Sequence, residues 1–131
     1  MSQRLREAER VFLERYKEWL HTVEEGLSSV AYFYREEHVE NGDRLLVQMM
    51  EGFAPFSSDN ITMRYLFAEK VEMAEEMQHF HEKVKNAKSI SSCDTSNERL
   101  RFVASDLMPA FQRWKLLVQS VGGESERQDR Q

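Results

Sequence analysis

Two Glu-x-x-His pairs, Glu18-Trp-Leu-His21 and Glu76-Met-Gln-His79, are the sharpest chemical candidates in this chain of 131 residues. On helices that spacing puts a carboxylate and an imidazole on one face, and di-metal carboxylate bundles use two such pairs plus a Glu from each of the other helices. Facing decides whether the pairs can meet. Against an apolar stripe centred on Phe12, Trp19 and Val23, Glu18 and His21 point roughly 140 to 160° away, and His79 lies roughly 135° from its own stripe. Glu51 lies opposite Leu46 and Phe53. No intrabundle metal site is expected. A second candidate is the acidic stripe Glu69, Glu72 and Glu76 ending on His79, which could hold a surface cation or small ligand. A solvated charged face is the ordinary reading of such a stripe. In "HFH", His79 and His81 are two apart, so on a helix they cannot share an ion, and His81 is expected to be a half-buried packing residue. Cys93 lies in a polar loop beside Asp94, which does not favour a thiolate. No serine has an orientable His and Asp partner, and GxGxxG, GxxxxGK[ST], CxxC and HExxH are absent. Nothing here recommends an enzyme or a cofactor.

Composition narrows the partners. Acidic residues outnumber basic ones 23 to 18, a net charge of −5, so there is no basic footprint for nucleic acid or for an anionic membrane surface. The basic residues Arg4, Arg6, Arg10, Arg15 and Lys17 alternate with Glu7, Glu9, Glu14 and Glu18 and read as a solvated, charge-paired face. No apolar run is long enough to span a membrane, and "MSQRLREAERVF" has no apolar h-region of a secretory signal. With a single cysteine and seven methionines, a reducing cytoplasm is the expected setting.

The elements that would position these residues are helices. Leu5, Ala8, Phe12, Tyr16, Trp19, Val23, Leu27, Val30 and Tyr34 recur in steps of three and four, which predicts one long helix over 3–39, with Gly26 the place for a kink. Asn41-Gly42-Asp43 reads as a helix stop followed by an N-cap. A short helix then covers 44–54, with Leu45, Leu46, Met49, Phe53 and Phe56 as its stripe and Pro55 as its end. A third helix is expected over 60–88, carrying Leu66, Met73, Met77, Phe80, Val84 and Ala87, with Met63, Phe67, Val71 and Ala74 on a flank. Thr95-x-x-Glu98 is a capping box for a fourth, with Leu100, Val103, Leu107, Ala110, Phe111, Trp114, Leu117, Val118 and Val121 inward, a kink at Pro109 and an end at Gly122-Gly123. The expected fold is all-α, an up-down bundle of four helices in one domain over 1–123, with 124–131 a polar, disordered tail. The second helix is too short to cover the first. A continuation past Pro55 or a second copy of the chain must do so.

The stretch 23–53, through Gly42-Asp43, Leu45-Leu46 and Glu51-Gly52, resembles small uncharacterised helical proteins of Gram-positive bacteria. More loosely, "LLVQMMEG" is similar to a helix of bacterial flagellin export chaperones. That resemblance implies a helical bundle in a bacterial cytoplasm and no catalytic residue. The function expected is therefore a non-enzymatic interaction protein, adaptor or chaperone-like, that binds a protein partner, or itself as a homodimer. Its contact residues would be Tyr32, Phe33, Met49, Met50, Phe53 and Phe67, unless those side chains bury one another. The alternative is a metal or small-ligand binding bundle built on Glu69, Glu72, Glu76 and His79.

Overall fold

A computed structural model describes residues 6–122, and the expectations for residues 1–5 and for the tail 124–131 lie outside them. The described residues are helical and contain no strand. They form α1 (Glu7–Arg35), α2 (Val39–Glu51), α3 (Ile61–Phe67), α4 (Val71–Ala87), α5 (Ser96–Arg101) and α6 (Met108–Ser120). A π-helical stretch, Phe102–Leu107, joins α5 to α6 in one rod. Single 3-10 turns at Ala54–Phe56 and Ile90–Ser92 sit in the connections.

The first helix stops at Arg35, one residue past the last position of its apolar stripe and short of the expected 39. The His38 N–H donates to Phe33 O (2.7 Å) and the Glu37 N–H to Tyr34 O (3.2 Å), while Glu37 takes φ 63°. This is the paired-bond helix end that normally has glycine in its left-handed position. Asn41-Gly42-Asp43, expected to be the break, instead lies inside α2. Gly42 is needed there for proximity: a Cβ would collide with the Tyr34 ring. The second helix closes at Glu51, ahead of Pro55, which sits in the following 3-10 turn. Gly52 caps it and passes against the Trp19 indole, where a Cβ would also collide.

The expected third helix is two. Its pattern is in phase throughout, so periodicity cannot reveal the break at 68–70. Packing makes it: α3 turns Met63, Leu66 and Phe67 inward toward α1, whereas α4 lies against α2 and α6. Phe67 stacks near both Tyr16 (ring centroids 5.8 Å) and Trp114 (5.2 Å). In the last rod Thr95 Oγ1 accepts from the Glu98 N–H (3.1 Å) as expected, but the Glu98 carboxylate returns to the Asp94 N–H (3.2 Å), one residue early. Inward residues then come at Arg99, Val103 and Leu107, in steps of four that drift off a strict 3.6-residue face. The wider π turn takes up the drift, with the Met108 N–H reaching Val103 O. Pro109, which has no N–H to donate, opens the α-helix that follows rather than interrupting one.

The core runs the length of α1. Leu13, Tyr16, Leu20, Val23, Leu27, Val30 and Tyr34 are buried, so the stripe centres on Leu13 and Leu20, with Phe12 and Trp19 on its flank. The exposed half of α1 that α2 is too short to reach is covered from within the chain. Phe56 packs on Phe12 (5.4 Å) and Tyr16 (4.7 Å), and α3 lies beyond it. Deep in this end the Trp114 Nε1–H donates to the Tyr16 hydroxyl (2.6 Å), and Lys17 Nζ donates to Val121 O (3.0 Å), tying α1 to the end of α6.

Candidate functional site

The densest polar cluster joins three elements. Tyr34 from the end of α1 donates its hydroxyl to Asp43 Oδ1 on α2 (2.6 Å), and Arg99 Nε from α5 donates to the same oxygen (2.9 Å). Arg99 also reaches Ser91 O (3.4 Å). Burial, reinforced by the hydrogen bond to Asp43 and its charge, pushes the Tyr34 phenol well above its ordinary value. The Tyr34 hydroxyl and Arg99 Nε both converge on Asp43 Oδ1, and the cluster is a clamp between helices. Arg99 was outside the expected stripe. Its four-residue spacing to Val103 and Leu107 was the signal that could have placed it inside. Asp43, expected as the N-cap of the second helix, lies inside α2 and is the clamp's acceptor.

The metal candidates are not brought together. Glu18 and His21 are exposed, with His21 Nε2 3.7 Å from Glu25 Oε2 on its own helix. Glu76 Oε1 accepts from Arg113 Nε of α6 (3.2 Å), and Glu69 and Glu72 are exposed. Among the described residues, no three His, Cys, Asp or Glu side chains are grouped so that they could hold an ion. The acidic stripe Glu69, Glu72, Glu76 with His79 is therefore an open face, one member of which is committed to α6.

The six expected contact residues divide. Met49, Met50, Phe53 and Phe67 are buried in the chain's own interior, which corrects their assignment to a free surface. Met49 lies against Gly26, and Phe53 packs on Tyr16, Trp19 and Phe80. Only Tyr32, 53% exposed, and the half-buried Phe33 stacked on it reach solvent. Three apolar side chains elsewhere are more exposed, Ile61 (81%), Val71 (72%) and Leu116 (68%), and Tyr65 (40%) and Val11 (37%) are exposed to a lesser degree. On α3, Ile61 and Tyr65 are one turn apart and point away from Met63, Leu66 and Phe67.

A cleft of about 180 Å³ opens between the end of α2, the 54–58 segment and the second half of α4. Met50, Phe53 and Val84 form its floor. His81, Lys85, Lys88, Ser57 and Ser58 stand around it. Burial lowers the His81 imidazole below its ordinary pKa, and its Nε2, closed off from solvent, has no hydrogen-bond partner among the described residues. His81 was expected only as a packing residue. The spacing 81, 84, 85, 88, one face of a helix, was the pattern that marks the cleft wall.

Among the described residues no helix is long and apolar enough to cross a membrane. No curated protein and no solved structure matches the chain significantly. One family profile does, described as a domain of unknown function (DUF8042), and it matches residues 11–117. That span holds the Tyr16–Trp114 bond, the Tyr34–Asp43–Arg99 clamp and the cleft. The chain belongs to the DUF8042 family.

Proposed function

We propose that this protein is a non-enzymatic interaction module whose outer α3 face docks a short apolar segment of a protein partner. The observation that carries the reading is Ile61, 81% exposed, with Tyr65 a turn later on the same face and Val71 72% exposed across the break. The interior has no use for them, since Met63, Leu66 and Phe67 already fill it from the opposite side of α3. Isolated exposed apolar residues are ordinary. Two on one face of a short helix, with a third just past its end, fit a contact face.

The three side chains offer on the order of 300 Å², well below the ~800 Å² that each partner gives to a stable interface. That favours a small, reversibly docked segment over permanent pairing of two copies. The paired helices form the frame that carries this face. Tyr34 meets Gly42, Gly26 meets Met49, Phe53 meets Phe80 and Phe80 meets Phe111. We read these contacts as an up-down arrangement of α1, α2, α4 and the α5–α6 rod, with α3 an added helix. A lone cysteine and seven methionines support the reducing cytoplasm as its setting. The chaperone-like run 45–52 gives its buried residues to the chain's own core, so that likeness is not carried into the proposal.

The test is a photo-crosslinking residue at position 65, used in a cell lysate with and without Ile61→Lys and Val71→Lys. The expected result is a saturable adduct with one protein, abolished by the two lysines while stability stays within about 0.5 kcal/mol of wild type. Adducts that persist unchanged in the double variant, or stability that collapses as for a core lesion, would refute the reading. A mass that leaves 15.5 kDa with rising concentration would make the partner a second copy and refute the commitment to a different protein.

A further inference from the structure

We propose that the cleft between α2 and α4 binds a short-chain carboxylate, its tail on Met50, Phe53 and Val84 and its headgroup between Lys85, Lys88 and the Ser57 and Ser58 side chains. The site stands apart from the α3 face and does not depend on it.

Charge is the first argument. In a chain where acidic residues outnumber basic ones 23 to 18, the lining of this cleft holds two lysines and no carboxylate. Both lysines are exposed at the rim, and among the described residues neither takes part in an ion pair. Lys85 lies in the last turn of α4 and Lys88, three residues on, caps it, so their ammonium groups can converge on one anion. Opposite them, Ser57 and Ser58 can each offer a hydroxyl donor. The Ser58 carbonyl is held by Arg64 Nε (3.2 Å) and the Pro55 carbonyl by the Asn60 side-chain amide (3.2 Å). The segment facing the lysines is therefore braced from α3 and its cap.

Shape is the second argument. Met50 and Phe53 are almost wholly buried, and with Val84 they make a dry floor. The His81 ring closes one side, and its Nε2 is shut off from water, which keeps that wall dry as well. A volume of about 180 Å³ is close to the ~150 Å³ of an apolar cavity that takes up one benzene. A tail of a few methylenes therefore fits. A lysine rim above an apolar floor matches an anion with a short tail, and neither part alone uses both halves of the cleft.

The test titrates the whole protein with hexanoate while following the His81 ring and Val84 methyl resonances by NMR. Hexanol supplies the same tail without charge, and inorganic phosphate supplies charge without a tail. Lys85→Glu with Lys88→Glu reverses the rim at exposed positions, with circular dichroism and thermal melts to check the fold. The expected result is saturable shifts of both reporters in the millimolar range or tighter. Binding should be at least about tenfold weaker for hexanol, for phosphate and for hexanoate on the charge-reversed variant at unchanged melting temperature. Equal binding of hexanol or phosphate, hexanoate binding that survives charge reversal, or no saturable shift at His81 and Val84 would overturn the proposal.

Discussion

Asp43 Oδ1 accepts hydrogen bonds from two helices at once, the Tyr34 hydroxyl and the Arg99 guanidinium. The Arg99 side chain is only 9% exposed, so removing its partner strands a charge that water reaches poorly. Asp43→Ala is expected to cost about 3 kcal/mol, measured by chemical denaturation. Adding Arg99→Met to that variant should recover part of the loss, because no buried charge is then left unpaired. Protons give a second handle. Burial pushes Tyr16 and Tyr34 well above the ordinary phenol value, with the Trp114 bond to Tyr16 working the other way. Above about pH 10 the unfolded tyrosines ionise while the folded ones hold their protons. Stability present below that pH is then lost as pH rises. Burial acts on His81 in the opposite sense. Its contribution is intact above about pH 6.5 and declines as pH falls and the unfolded imidazole takes up a proton. Melting temperature against pH should fall at both ends, and His81→Phe should flatten the acid side only.

The helices were legible where one apolar face repeats, while the breaks at 36–38 and 68–70 were not. Val23, Leu27, Val30 and Tyr34 mark the inner face of α1 from sequence alone, and Thr95 marks the start of α5. Glu37 hides the end of α1 because a glutamate occupies a backbone conformation that glycine usually takes. Gly42, which looks like that end, serves instead to let α2 approach Tyr34. The break between α3 and α4 was invisible for another reason: Met63, Leu66, Met77 and Phe80 stay in phase across it, and only their different neighbours separate them. The same holds for the candidate site. The histidines of the Glu-x-x-His pairs could be placed outside from phase, but the cleft depends on where the 54–58 segment crosses α4, which no local pattern encodes. Glu37→Gly provides the test at this scale. Relief of the left-handed strain is worth about 1 kcal/mol, and the Ser96 bond to the Glu37 carboxylate that it removes is solvent-exposed, where water can replace it. The melting temperature should rise by a few degrees, read by calorimetry.

For the molecule as a whole, the question is whether the apolar run 45–56 closes its own core or waits for a partner. In this structure Phe56 and α3 cover the half of α1 that α2 leaves open. Met49, Met50, Phe53 and Phe67 lie in that core, and the outer side of α3 carries the exposed Ile61 and Tyr65. Solvent access at the methionine methyls decides this most directly. With methyl-labelled methionine and a soluble paramagnetic probe, the account predicts strong protection of Met49, Met50, Met63 and Met77, with faster relaxation at the half-buried Met73 and Met108. Met49 and Met50 methyls relaxing as fast as those of Met73 and Met108 would contradict it.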